Sequence, residues 1–264
     1  MISSGASGAM AGAEPRLRRL RSVGADLSVR LASGVVMVVV AAGALWLGGW
    51  VWLVFCGIAA LGVLWEWNRI VRTFARGPLA EIAWLFGGAC YVGGAALAMA
   101  MVRNGPLILP VRELTFGFGA FEVLVSFLLP VIAVDVGAYF AGRMIGGPKI
   151  APAISPSKTW AGLGGGAVAA SLVAVLNEAL DIGPGAAMPG LSAIGFGFAL
   201  LAGVLVAIVA QCGDFFESWM KRRAGVKDSS GLIPGHGGLF DRLDGFIAVF
   251  FVLFVVALLP AYLG

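Results

Sequence analysis

Residues 213–244 read Gly213-Asp-Phe-Phe-Glu-Ser-Trp-Met-Lys-Arg-Arg-Ala-Gly-Val-Lys-Asp-Ser-Ser-Gly-Leu-Ile-Pro-Gly-His-Gly-Gly-Leu-Phe-Asp-Arg-Leu-Asp244. This stretch gathers five bases (Lys221, Arg222, Arg223, Lys227, Arg242), five carboxylates (Asp214, Glu217, Asp228, Asp241, Asp244) and the single histidine, His236, of a chain that is only 12% charged. Long apolar runs border it on both sides. Charge beside a bilayer is costly and tends to mark a site, so the chemistry is expected here.

Outside this stretch the composition is that of a membrane protein. The 264 residues are 60% hydrophobic with a mean hydropathy of +0.97, well above the soluble norm. Several uncharged windows reach the roughly 20 residues that a helix needs to cross hydrocarbon. A β-barrel would instead alternate polar and apolar residues. The expected fold is therefore all-α, a polytopic helical bundle of about seven spans, with eight or nine as the outer range. Residues 1–28, rich in Gly, Ala, Ser and Arg, read as a disordered or surface-bound basic segment, with Arg16, Arg18, Arg19 and Arg21 near the membrane. Residues 29–264 read as one transmembrane catalytic domain. The apolar run after residue 28 is too long for a cleaved signal peptide. Cys56, Cys90 and Cys212 are scattered among apolar neighbours and support neither a disulfide framework nor a zinc site. The net charge of +4 comes from bases beside apolar spans and is no sign of nucleic-acid binding.

In chain order the spans are expected near 31–47, 50–67, 82–102, 118–139, 160–180, 194–212 and 243–263, with a turn at Gly48-Gly49 and a kink at Pro130. Glu66, lying among tryptophans, reads as an interface residue. Arg69, Arg72 and Arg76 read as a short basic loop, and residues 143–159 as a Gly/Pro/Lys loop. With the N-terminus inside, every basic residue except Arg103 and Arg112 falls on the cytoplasmic side. The positive-inside rule therefore selects N-in, C-out and puts both polar loops in the cytoplasm.

Several motifs have two readings. Gly162-Leu-Gly-Gly-Gly-Ala167 has the letters of a dinucleotide fingerprint, but no strand precedes it, and small residues that let helices pack closely explain it better. Asp214, Glu217 and Ser218 share one face if the sixth helix continues, and Asp241 and Asp244 open the seventh. Capping explains a carboxylate in a first helical turn; it does not explain Asp214 at a helix C-terminus. Three carboxylates from two helix ends also suit a hard divalent cation such as Mg2+. Gly235-His236-Gly237-Gly238 is either a plain turn or a backbone able to approach a ligand closely. Ser155-Pro-Ser-Lys-Thr-Trp160 has ordinary capping and interface chemistry, except that Lys158 sits at the positive end of a helix. An anion sharing that end would resolve the conflict.

The pattern Ser218-x-Met-Lys-Arg-x-x-x-x-Lys227-Asp-x-Ser-x-x-Ile-Pro-x-His236-Gly-Gly-Leu-x-Asp241-Arg-Leu-Asp244 resembles, without a gap, the signature of phosphatidate cytidylyltransferases (CDP-diacylglycerol synthases). Gly213-Asp-x-x-Glu-Ser218, Asp135-x-Gly-Ala-Tyr-x-x-Gly-Arg143 and Ser155-Pro-Ser-Lys-Thr-Trp160 are similar to that family too. Ala161 departs from it, standing where the family often carries Glu or Gln. The likeness is close over the C-terminal half and extends to the N-terminal spans only in pattern. It implies CTP and phosphatidate as substrates, CDP-diacylglycerol and pyrophosphate as products, and Asp214, Asp241 and Asp244 as ligands of Mg2+, with room for a second, monovalent cation. On this reading Lys158, Lys221, Arg222, Lys227 and Arg143 contact phosphates. Ser218, Asp228 and His236 shape the pocket, and Ser155, Thr159, Gly237, Gly238 and Arg242 lie on its substrate side. The partners are membrane lipids, with a homodimer one assembly open to the chain, and the expected setting is a bacterial inner membrane with a cytoplasmic active site. Two rivals are a CTP-dependent lipid kinase of the dolichol-kinase type and a non-enzymatic transporter or scaffold.

Overall fold

The computed structural model describes residues 28–104, 120–180 and 192–263. The expectations for residues 1–27, for Arg112 and for the start of the fourth span at 118–119 lie outside these. The described residues form seven helices: α1 (Ser28–Leu47), α2 (Gly49–Phe74), α3 (Pro78–Asn104), α4 (Ala120–Met144), α5 (Trp160–Ala179), α6 (Ser192–Ala224) and α7 (Phe240–Leu263). Among them the only β pairing is two isolated bridges, Lys149 with Thr159 and Ile233 with Gly237.

Six of these helices, α1 to α6, are long and apolar enough to cross a membrane, the character of an integral membrane protein. The seventh carries Asp241, Arg242 and Asp244 at its start and no charge afterwards.

The helices outrun the apolar runs that announce them. α2 continues to Phe74, so Arg69 and Arg72 stand on its last turns and not in a loop. Arg143 is likewise in the last turn of α4. α6 is 33 residues long and reaches Ala224. The stretch 213–244 is therefore a helix end, a connection of residues 225–239 and a helix start. This removes the premise that Asp214 sits at a helix C-terminus. Hydropathy reports what a helix faces, whereas the backbone hydrogen bonds of an α-helix continue through polar residues of good helix propensity.

The α1–α2 turn falls at Gly48 and Gly49, whose φ of 62° and 50° is left-handed and favours glycine. Arg103, at the far end of α3, donates from Nε to the Leu45 carbonyl (2.8 Å) and from Nη2 to that of Trp46 (3.1 Å). It thereby answers the free C-terminal carbonyls of α1.

Packing runs α2 on α3, α3 on α7, α7 on α6, α6 on α5 and α5 on α4. The main core lies among α2, α3, α6 and α7. There Trp67 is buried and touches Trp84, Tyr91, Phe216 and Phe240, with its indole N–H donated to the Trp84 carbonyl at 3.0 Å. The glycine run is a packing seam: a Cβ at Gly137 would lie 2.5 Å from the Gly165 carbonyl oxygen, and one at Gly166 3.0 Å from that of Val134. Small residues let two backbones meet where lipid offers no hydrophobic drive.

Gly165→Ala should lower thermal stability in detergent by about 1–3 kcal/mol, the usual cost of overpacking. Gly164→Ala, whose added Cβ meets nothing within 4 Å, should leave stability unchanged or slightly raised. Equal behaviour of the two variants would refute the seam.

Candidate active site

The residues singled out in the sequence converge at one end of the bundle, where α1, α3, α5 and α7 begin and α2, α4 and α6 finish. They form two charge clusters joined by the 225–239 connection.

The first cluster centres on Lys221. Its ammonium lies 2.6 Å from Glu217 Oε2, one turn back on α6, and 2.6 Å from Asp241 Oδ1 on α7. The other oxygen of Asp241, Oδ2, accepts from Ser229 N (2.9 Å), Ser229 Oγ (2.9 Å) and Gly238 N (2.8 Å). The Asp241 carboxylate is thus occupied by protein donors, and Lys221 is held between two carboxylates. Glu217 is almost fully buried, and its Oε1 has no hydrogen-bond partner.

The second cluster centres on Lys158, which forms an ion pair with Asp214. This carboxylate is the anion that a cation at the start of α5 requires. Thr159, next in sequence, is buried and caps α5 by accepting from Gly162 N at 3.0 Å. Asp244 lies within electrostatic reach of Asp214, Asp135 and Lys158. Asp135 in turn is within reach of Lys158, Asp214 and Arg242. Gly213 permits the approach of α6 and α7, since a Cβ there would lie 2.7 Å from the Asp244 carbonyl oxygen. Ser218 Oγ stands 3.4 Å from Asp214 Oδ1.

Lys158 thus pairs directly with Asp214 of α6 alone, while Asp135 of α4 and Asp244 of α7 lie within electrostatic reach of that pair, with Arg242 as a further cation near Asp135. The donor chemistry of these three carboxylates, hard oxygen with an excess of negative charge, fits a magnesium ion. The expected trio of Asp214, Asp241 and Asp244 is not drawn together: Asp214 and Asp244 belong to the second cluster, and Asp241 belongs to the first. As the side chains stand, no group of three potential ligands among the described residues is arranged to hold a metal.

The connection carries the remaining candidates. Its glycines Gly235 and Gly237 have φ of 75° and 84°. Gly238 has no room for a side chain, because a Cβ would lie 2.6 Å from Glu66 Oε1. His236 contacts α1 through Nδ1 and Ser33 Oγ, 2.9 Å apart. Its carbonyl accepts from Arg242 Nε and Nη2 at 3.1 and 2.9 Å. Lys227 and Asp228 are exposed. Arg222 donates to the Ile154 carbonyl (3.2 Å), tying α6 to the 145–159 connection, where Ser155 is buried. Arg143 is exposed and reaches the Tyr139 hydroxyl (3.2 Å).

Two further residues belong to this site without a sequence signal of their own. Asp135 is visible only within a motif. Glu66, read from sequence only as suiting a membrane interface, is fully buried and accepts from Ser229, Ser230 and Leu239 of the connection and from Phe240 at the start of α7. Nothing local signals partners more than 160 positions away.

The sequence pattern that defines the Cytidylyltransferase family matches residues 93–259. The chain is 38% identical over 215 residues to a phosphatidate cytidylyltransferase of Brucella suis biovar 1, covering 78% of this chain and 72% of that relative. It is 36% identical over 243 residues to a phosphatidate cytidylyltransferase of Helicobacter pylori, covering 83% and 87%. A phosphatidate cytidylyltransferase of Haemophilus influenzae is 41% identical over 130 residues, covering 49% and 43%.

Lys221→Met leaves two buried carboxylates without their shared cation. It should destabilise the fold by about 3–5 kcal/mol, read as a lower melting temperature in detergent. Lys149→Met, at an exposed lysine, should shift stability by no more than about 0.5 kcal/mol. A Lys221→Met protein as stable as the parent would contradict the bridging role.

Proposed function

Because the chain belongs to the cytidylyltransferase family and is a nucleotidyltransferase, we propose that it condenses CTP with phosphatidate to CDP-diacylglycerol and pyrophosphate. The observation that carries this reading is the charge clustering at one end of an apolar bundle, on the residues of the family signature. An oxygen of the lipid phosphate attacks the α-phosphorus of CTP. The bond from that phosphorus to the α–β bridging oxygen breaks, and pyrophosphate leaves with the electron pair.

A phosphate monoester has its second pKa near about 6, so the nucleophile is already largely ionised at neutral pH and needs no strong base. This accords with a chain whose only histidine packs against α1. The difficulty lies in bringing two polyanions together and stabilising the leaving group, which falls to positioning and electrostatics. Lys158 is the cation we assign to meet it, since its ammonium could exchange Asp214 for a phosphate oxygen, leaving that carboxylate to hold a metal. Arg143, Arg222, Lys227 and Arg242 are further cations that we assign to phosphate contacts. Lys221 keeps Asp241 and Glu217 in place.

We assign Asp214 and Asp244, with Asp135 close by, as the residues that would hold Mg2+. Bound there, it would neutralise phosphate charge. Asp241, with its four protein donors, fixes the connection. The site is assigned to the cytoplasmic face of a bacterial inner membrane, on the strength of the positive-inside distribution and the bacterial relatives. There the acyl chains stay in lipid while the headgroup meets CTP.

Purified protein in lipid should convert CTP and phosphatidate to CDP-diacylglycerol and pyrophosphate; release of CDP with transfer of a γ-phosphoryl group would indicate a lipid kinase instead. Asp214→Asn and Asp244→Asn should cut turnover by orders of magnitude and raise the Mg2+ concentration needed for half-activity. Asp241→Asn should lower the melting temperature and turnover with an unchanged Mg2+ requirement. A shifted requirement in Asp241→Asn would return that residue to the metal.

For orientation, a Leu232→Cys variant lacking the native cysteines should react with an impermeant maleimide only after cells are opened, Leu232 being exposed in the connection. Labelling of intact cells would reverse the topology.

A further inference from the structure

Glu66 lies on α2, outside the residues 93–259 that match the family pattern, yet it reaches the centre of the site. Its Oε2 accepts from Ser229 Oγ (3.0 Å) and Phe240 N (2.6 Å). Its Oε1 accepts from Leu239 N (2.9 Å) and Ser230 Oγ. The first amides of any helix lack intrahelical partners. At α7 the amides of Leu239 and Phe240 are met by a carboxylate from α2, while Asp241 of α7 itself accepts from Gly238 N just before them.

Leu239 N, Phe240 N and Ser230 Oγ can each donate to it outright, which suits a group that only accepts, while the single proton of Ser229 Oγ is shared with Asp241. Ser229 carries the contact further, for its hydroxyl lies 3.0 Å from Glu66 Oε2 and 2.9 Å from Asp241 Oδ2. One hydroxyl proton thus stands between the two carboxylates. Gly238 presses the connection onto Glu66 so closely that no side chain fits between.

We propose that Glu66 is a positioning residue for the reaction: as the acceptor cap of α7 it sets where the 225–239 connection and the first turn of α7 stand, and hence the placement of Asp228, His236, Asp241 and Asp244. This rests on the reading of residues 213–244 as the active-site segment. A static brace of this kind matters for turnover because a misplacement of about 1 Å can cost a hundred-fold in rate.

Glu66→Gln tests it with little change of shape. Whichever way the amide is turned, its NH2 faces the N–H of Leu239 or of Phe240, while the two serine hydroxyls can rotate to accept. Kinetics are read in parallel with maleimide labelling of single cysteines in a background lacking Cys56, Cys90 and Cys212. One cysteine replaces Ile233, buried in the connection, and the other replaces Ser155, buried between α4 and α5.

Glu66→Gln should lower kcat by about ten- to a hundred-fold and raise KM for CTP. Labelling at position 233 should quicken by about ten-fold, as in a local opening, with position 155 unchanged. Ser230→Ala should act in the same direction and less strongly. Parent-like kinetics and labelling in Glu66→Gln would reduce Glu66 to packing, and equal quickening at both positions would show general loosening; either result overturns the proposal. Should Glu66→Gln not be recovered folded, Ser229→Ala and Ser230→Ala decide: parent-like kinetics and labelling in both would overturn it. If the parent protein makes no CDP-diacylglycerol, the proposed reaction fails, while the labelling still reports whether Glu66 holds the connection.

Discussion

A carboxylate withdrawn from water must be met by donors or by a cation, and at the polar end of this bundle that requirement fixes the geometry of everything else. Glu66 is met by two backbone N–H groups, by the Ser230 hydroxyl and by a Ser229 hydroxyl whose one proton it shares with Asp241. Asp241 is met by Lys221, by two backbone N–H groups and by the Ser229 hydroxyl. Each contact also joins separate parts of the chain: α2 to the start of α7, and α6 to the connection. An unpaired buried charge costs several kcal/mol, so the connection cannot drift from these partners without leaving one of them exposed to an apolar surround. The 225–239 segment has almost no regular structure, and this is what gives it a definite one.

The apolar part of the bundle sets the distances over which those contacts operate. Helices sharing lipid gain little from burying apolar surface and rely on close packing. Gly137, Gly165 and Gly166 bring α4 against α5, and Gly213 brings α6 against α7. Asp135 and Lys158 are carried by the first pair and Asp214 and Asp244 by the second, so all four enter one field. Beneath the Lys221 cluster the aromatic group around Trp67 joins α2, α3, α6 and α7 and sets the height at which Glu66, the preceding residue, meets the connection.

Much of this could be read from sequence, for reasons that also explain what could not. The helical class, the Gly48-Gly49 turn and the Gly162–Ala167 seam follow from hydropathy, backbone freedom and residue size, all of them local properties. The end of α6 did not follow. Twelve more residues, Gly213–Ala224, carry the helix past its apolar run, because helix formation does not require an apolar face on every turn. The candidate carboxylates were legible as residues, but their grouping was not. Spacing places Asp241 and Asp244 on adjacent turns, yet their side chains join different clusters, one with Lys221 and the other with Asp214 and Asp135. Glu66 shows the same limit most plainly. Beside two tryptophans it has the look of an interface anchor, and only the return of the chain 163 positions later reveals its partner.

The contrast between the two lysines bears on how such a site could work. Lys221 is nearly buried and answers two carboxylates, whereas Lys158 is more open to solvent and answers one. Moving Lys221 would strand both Glu217 and Asp241, so its ammonium is poorly suited to follow a substrate. Moving Lys158 strands only Asp214, a carboxylate that a divalent cation can take over in the same event. For a reaction that must accept CTP and a lipid phosphate together, the proposed exchange would keep the local charge balanced: the ammonium would pass to a phosphate oxygen, and Asp214 would be left to hold a metal. Asp135 and Asp244 are the further carboxyl groups within reach of this pair that could join Asp214 in holding a second cation. The two clusters lie side by side on α6, where Glu217 of the Lys221 cluster stands one turn after Asp214 of the Lys158 cluster.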